Sequence, residues 1–94
     1  MTLSDKRQIL NSFHELRENE DKFGRFFYYY DESPSRKKIV AREFVPSGNG
    51  YVYGKFIPDY KDSLYKDGSV CVKEFSAEEL RIIVRKSIDS LNFY

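Results

Sequence analysis

His14 and Cys71 are the only imidazole and the only thiol in the chain, and together they could supply a base and a nucleophile. A reactive thiol needs an accessible, electropositive site. Cys71 instead sits between Val70 and Val72 in an alternating run, where a cysteine is more often a packing residue. It is expected to react slowly with thiol reagents. Structural zinc takes four Cys or His ligands, which one of each cannot provide. Asp59, Asp62 and Asp67 crowd one connection, but their spacing does not follow a calcium loop, so they read as solvated acids. Glu78 and Glu79 are a paired-carboxylate candidate that helix capping already explains. No glycine-rich phosphate loop and no nucleophile elbow is present. The expectation is a protein that is not an enzyme and that holds no metal or cofactor.

A different chemistry is suggested by tyrosines interleaved with cations. Arg36, Lys37, Lys38, Arg42, Tyr51, Tyr53, Lys55 and Lys73 combine rings that could stack on bases with charges that could neutralise phosphates. Tyr and Arg are also the side chains enriched at protein interfaces. A half-exposed sheet face with no partner has the same composition, because antiparallel sheets tolerate one solvated face.

The elements that would position these residues follow from periodicity. Thr2 and Asp5 form a loose capping box, and Ile9, Leu10, Phe13 and Leu16 recur at helical spacing, which predicts a helix over residues 4–20. Five consecutive aromatics, Phe26 to Tyr30, predict a strand. Further strands are expected over residues 37–45, 51–57 and 69–74. Pro46 to Gly50 reads as a hairpin loop. Residues 58–68, with Tyr60, Leu64 and Tyr65, read as an ordered flap. The clearest local signal is at the last helix. Ser76 and Glu79 make a capping box, Phe75 and Leu80 a hydrophobic staple, and Leu80, Ile83, Val84, Ile88 and Leu91 a buried stripe. The expected fold is a single α+β domain over residues 1–94, in which an antiparallel four-stranded meander is flanked by an N-terminal and a C-terminal helix, both on one face.

Strand alternation then sorts side chains. Ile39, Ala41, Val45, Val52, Phe56, Val70 and Val72 are expected under the helices. Val40, Arg42, Phe44, Tyr51, Tyr53, Lys55, Cys71 and Lys73 are expected on the opposite face. The element order invites comparison with double-stranded RNA-binding domains, but their last helix opens on phosphate-clamping lysines. Here that position holds Ser76, Glu78 and Glu79, which would repel phosphate.

Charge weighs the alternatives. Sixteen basic and fifteen acidic residues leave a net charge of +1, which argues against non-specific binding to a phosphate backbone. Aromatics make up 17% of the chain, far above a disordered composition. A lone cysteine asks for no oxidising compartment, and no apolar run of signal-peptide or membrane-span length occurs, so a cytoplasmic protein without a membrane partner is expected.

Two apolar surplus regions point to self-association. The aromatic strand has rings on both faces, and Phe26, Tyr28 and Tyr30 are candidate interface residues. Ile82, Lys86 and Phe93, with Tyr94, form a strip opposite the buried stripe of the last helix. The functional expectation is a non-catalytic interaction module, a homodimer or the partner of another protein. Nucleic-acid binding through the tyrosine face is the alternative.

Overall fold

The computed structural model describes residues 1–93; Tyr94, assigned above to the helix strip, lies outside them. The first helix, α1 (Leu3–Asn11), begins as its cap dictates. Asp5 N–H donates to the Thr2 hydroxyl at 3.1 Å and Thr2 N–H to the Asp5 carboxylate at 3.0 Å. It stops well short of residue 20. The Ser12 hydroxyl bonds the Ile9 carbonyl at 2.5 Å, and successive turns through Phe13 and Leu16 bring the chain back. Residues 17–20 then form a strand, β1 (Arg17–Glu20), that the helical spacing of Phe13 and Leu16 concealed.

The remaining elements are β2 (Phe26–Tyr29), β3 (Ile39–Phe44), β4 (Tyr51–Tyr53), a 3₁₀ turn (Pro58–Tyr60), β5 (Ser69–Cys71) and α2 (Ala77–Asn92). The sheet therefore has five strands rather than four. They lie in the order β1-β2-β3-β4-β5, with every neighbouring pair antiparallel.

β1 joins the sheet through a four-residue ladder with β2, and one carboxylate ties it to α1 as well. Glu18 accepts from Arg7 Nε at 3.1 Å and Nη2 at 2.9 Å, from Asn11 Nδ2 at 2.9 Å and from the Tyr28 hydroxyl at 2.6 Å. These donors lie on α1 and β2, so an acidic, polar tetrapeptide becomes the joint between helix and sheet. The Arg7 guanidinium, with Tyr28 and Asn11 behind it, lowers the Glu18 pKa to about 2. Burial, reinforced by the bond to Glu18, raises that of Tyr28.

One face of the sheet packs the core. Tyr28, Ala41, Val52 and Val70 align across four strands and are buried. They share a cluster with Ile9 and Leu10 of α1 and with Leu80, Ile83, Val84, Ile88 and Leu91 of α2. Both helices thus cover this face. The α2 cap forms as its sequence requires, Glu79 N–H bonding the Ser76 hydroxyl at 3.1 Å and Ser76 N–H the Glu79 carboxylate at 2.8 Å.

Strict alternation fails in β3. The register shifts between Phe26 and Tyr28, and Glu43 sits at φ 57°, a bulge that leaves Arg42 and Glu43 both half-exposed and turns Phe44 inward. A second shift between Tyr28 and Tyr29 leaves Val40 and Ala41 both buried. Val40 and Phe44 are therefore core residues, not members of the opposite face. Ile39 makes the reverse exchange, pairing with Tyr29 and lining the uncovered side with Lys37, Arg42 and Tyr53. The Phe44 ring lies so close to Gly50 that a Cβ there would sit 2.6 Å from it.

Lys6 is another departure from a simple polar reading. It is buried, and its ammonium donates to the carbonyls of Gly48 at 2.6 Å and Lys73 at 3.3 Å. The helix is thereby clipped to two loops, and burial holds the amine below the usual lysine range.

Candidate interaction surface

The face of the sheet away from the helices carries a repeated arrangement. From β1 to β5 the half-buried rings are Phe27, Tyr29, Tyr53 and Tyr51. Each has a cation over it. Arg25 stands 5.8 Å from the Phe27 centroid, Arg17 4.7 Å from Tyr29, Lys37 4.5 Å from Tyr53 and Arg42 4.3 Å from Tyr51. Tyr65 packs edge-on against Tyr51 at 5.5 Å. Such pairs contribute on the order of 0.5–1 kcal/mol each at exposed sites. They hold the rings upright without covering them as a helix would.

Three arginines of this face are neutralised. Arg17 pairs with Asp31 at 2.7 Å, Arg25 with Asp21 at 2.7 Å and with Glu43 at 3.5 Å, and Arg42 with Asp67 at 2.9 Å and with Glu43. Arg42 also donates to the Ser69 hydroxyl at 3.0 Å. Asp31, next to Arg17, is held below the usual carboxylate range by that guanidinium, and Asp67 by Ser69 first and Arg42 after it.

The residues expected to form a nucleic-acid face are only partly brought together. Arg42, Tyr51, Tyr53 and Lys37 share the surface, with Arg36 exposed beside Lys37. Lys55 leans over Phe56 at 5.7 Å, just beyond β4. The Lys38 ammonium is spent on the Ser33 carbonyl. Lys73 falls at the other end of the sheet, beside Gly48 and the Lys6 clip. Phe27 and Tyr29 of the aromatic run, with Arg17 and Arg25, which the sequence alone did not single out, complete the pattern. Alternation within β2 carried that signal, since Phe27 and Tyr29 must oppose Phe26 and Tyr28.

The aromatic-strand interface is corrected by the packing. Phe26, Tyr28 and Tyr30 are all buried within one chain. Arg7 lies 4.0 Å over the Phe26 ring, Tyr28 bonds Glu18 and meets Phe44 edge-on at 6.0 Å, and the Tyr30 hydroxyl bonds Asn92 at 2.7 Å. The flap covers other rings: Tyr60 stacks on Phe75 at 6.1 Å. Ile82 on α2 is 43% exposed and Phe93, just past its end, 87%, while Lys86 bonds Asp59 at 3.0 Å.

The single-copy nucleophile and base are far apart. Cys71 is half-buried on β5, at one edge of the sheet, and exposed His14 precedes β1 at the other. Four strand spacings of about 4.8 Å separate those edges. His14 lies 3.6 Å from Glu15, not near the thiol. Glu79 is occupied by its cap, Asp59 by Lys86 and Asp67 by Ser69 and Arg42. Among the described residues, no group of three or more His, Cys, Asp or Glu is placed to hold a metal ion. Nor is any helix among them long and apolar enough to cross a membrane.

A groove of about 450 Å³ opens where this face meets the connection between β2 and β3, lined by Pro34, Ser35, Arg36, Lys37, Tyr53 and Phe56. No family model, curated protein or solved structure matches the chain.

Proposed function

We propose that the chain is a non-catalytic protein-interaction module that pairs with a second copy through the uncovered face of its sheet. The observation that carries this reading is the row of rings Phe27, Tyr29 and Tyr51, upright beneath cations on the face that neither helix covers. Tyr and Arg dominate the row, as in the buried centres of protein interfaces. The charge pattern favours a copy of the same chain. A two-fold interface brings one patch against itself, and a patch of single sign would repel its twin. Here the arginines alternate with Asp21, Asp31, Glu43 and Asp67, so a rotated copy can place opposite charges together. Nucleic-acid binding on this face is the rival reading, and Tyr51 and Tyr53 beside Arg42 and Lys37 favour it. The same four carboxylates oppose it, because a phosphate strand laid along the face would meet them.

The test compares two surfaces by sedimentation equilibrium. Tyr29→Lys is expected to dissociate the dimer while leaving the fold intact, and Ile82→Asp to leave it associated. The opposite outcome would move the interface to the Ile82, Lys86 and Phe93 strip of α2. Gel shift with RNA or DNA at low salt tests the rival, whose affinity must fall steeply as salt rises.

A further inference from the structure

The two edges of the sheet are finished differently. Bonds across an antiparallel pair alternate, so every second residue of an edge strand turns its N–H and C=O away from the sheet. At β5, Val72 N–H bonds the Gly50 carbonyl at 3.0 Å and Gly54 N–H the Gly68 carbonyl at 2.8 Å, which makes residues 68, 70 and 72 the inward ones. Ser69 and Cys71 therefore face outward. The chain itself closes the Ser69 position. Ser69 N–H donates to the Asp67 carboxylate at 3.1 Å, and the Ser69 carbonyl accepts from Tyr65 N–H at 2.9 Å. Beyond Cys71, the Lys6 ammonium takes the Lys73 carbonyl at 3.3 Å.

β1 has no such closure. Asp21 N–H bonds the Arg25 carbonyl at 2.9 Å and continues the register of the β1–β2 ladder, which makes residues 17, 19 and 21 the inward ones. On the other side of β2, Tyr30 N–H bonds the Lys38 carbonyl at 2.7 Å, the phase that this arrangement requires. Glu18 and Glu20 thus turn their backbone N–H and C=O groups outward, about 7 Å apart along the strand. No group among the described residues bonds them there, and Arg17, Asn19 and Glu20 are exposed. Unpaired backbone groups at the spacing of two successive rungs are a template for a further strand.

Charge decides which strand fits. A second copy added here about a two-fold axis sets Glu18 against Glu20, or one of the two against itself, and like charges directly opposite destabilise a strand pair. Arg7 already holds the Glu18 carboxylate at 2.9 Å. Glu20 has no ion-pair partner among the described residues. We propose that the open edge of β1 binds an extended segment of a partner protein as an added strand, its backbone bonding the N–H and C=O groups of Glu18 and Glu20 and a Lys or Arg of the segment meeting the Glu20 carboxylate. The proposal goes beyond self-association, which closes a face of the sheet rather than an edge. The glutamates that turn away a second copy draw in a basic strand.

The experiment is an NMR titration of the full chain with a capped peptide of alternating Lys and Thr, read by amide hydrogen exchange. Exchange at the Glu18 and Glu20 amides is expected to slow, while the Asn19 amide, already in the ladder with β2, changes little. Glu20→Lys, its remaining spectrum unchanged, is expected to bind about tenfold more weakly or worse. The same peptide N-methylated at its Lys residues keeps the charge and loses the pairing donors, and it is expected not to bind. A peptide with Glu in place of Lys is expected to bind far more weakly. The proposal is overturned by unchanged exchange at Glu18 and Glu20 at millimolar peptide, by shifts centred elsewhere, or by equal binding of the N-methylated peptide, the Glu peptide or the Glu20→Lys variant. Solution mass is a separate observable, so loss of the dimer and loss of peptide binding are told apart.

Discussion

The two faces of the sheet use rings from the same strands and treat them oppositely. On β2, Phe26 and Tyr28 point into the core and are buried, while Phe27 and Tyr29 point away and stay half-buried. The inner rings are covered by helices whose apolar stripes leave almost no water. The outer rings of β2 lie beneath the Arg25 and Arg17 guanidiniums, themselves anchored to Asp21 and Asp31. The inner arrangement contributes stability through area removed from water. The outer one contributes little to folding and keeps shape and charge available for a second surface. A substitution on one face should therefore change a different observable from a substitution on the other.

The largest effect is expected inside. Ile83 is fully buried on α2, and Ile83→Ala should lower the free energy of unfolding by about 2–5 kcal/mol in chemical denaturation. A change within error would detach α2 from the core and remove the contrast between the faces.

Glu18 gives the next effect, and its sign follows from the direction of its shift. Its carboxyl has a pKa of about 2 in the folded chain against an ordinary value of 4.5. The folded value is the lower one, so this stabilisation is fully present above about pH 4.5 and is lost as pH falls towards 2. At about 1.4 kcal/mol per unit, the contribution is at most on the order of 3 kcal/mol, and solvent screening at this half-buried carboxylate reduces it. Denaturation midpoints measured between pH 6 and pH 2 should fall less steeply in Glu18→Gln than in the parent chain. Identical slopes would remove the joint between α1, β1 and β2.

The smallest effect on folding, and the most selective for the outer face, concerns Cys71. Its Cα pairs with that of Tyr51 across β4 and β5, which places the half-buried thiol on the uncovered face. Labelling by a thiol reagent should slow as protein concentration rises through the association range. Ile83→Ala should not abolish that protection so long as the chain stays folded. A labelling rate independent of concentration would place the contact elsewhere.

Much of this was legible in the residues, for reasons that differ by element. The start of α2 is written locally: Ser76, Glu79, Phe75 and Leu80 satisfy cap and staple within five positions, and its stripe has no competing period. The hairpin between β3 and β4 follows from Gly and Asn chemistry in a short loop. β1 was hidden because its stability is not local. Arg17 to Glu20 has no apolar alternation, and it is a strand because Glu18 finds donors on α1 and β2. The bulge at Glu43 was hidden because no glycine or asparagine marks it, and it moved Phe44 from one face to the other. Of the candidate surface, Arg42, Tyr51 and Tyr53 followed from period-two alternation alone. Arg17 over Tyr29 could not, since it depends on β1 being a strand. Lys73 was misplaced because strand numbering does not say which end of the sheet a residue reaches.

The most direct test of the account is the mass of the unmodified chain in solution. Light scattering at tens of micromolar protein is expected to give twice the 11.2 kDa of one chain, the mass of a dimer with one uncovered face closed on its copy. A single species of 11.2 kDa at that concentration would contradict it.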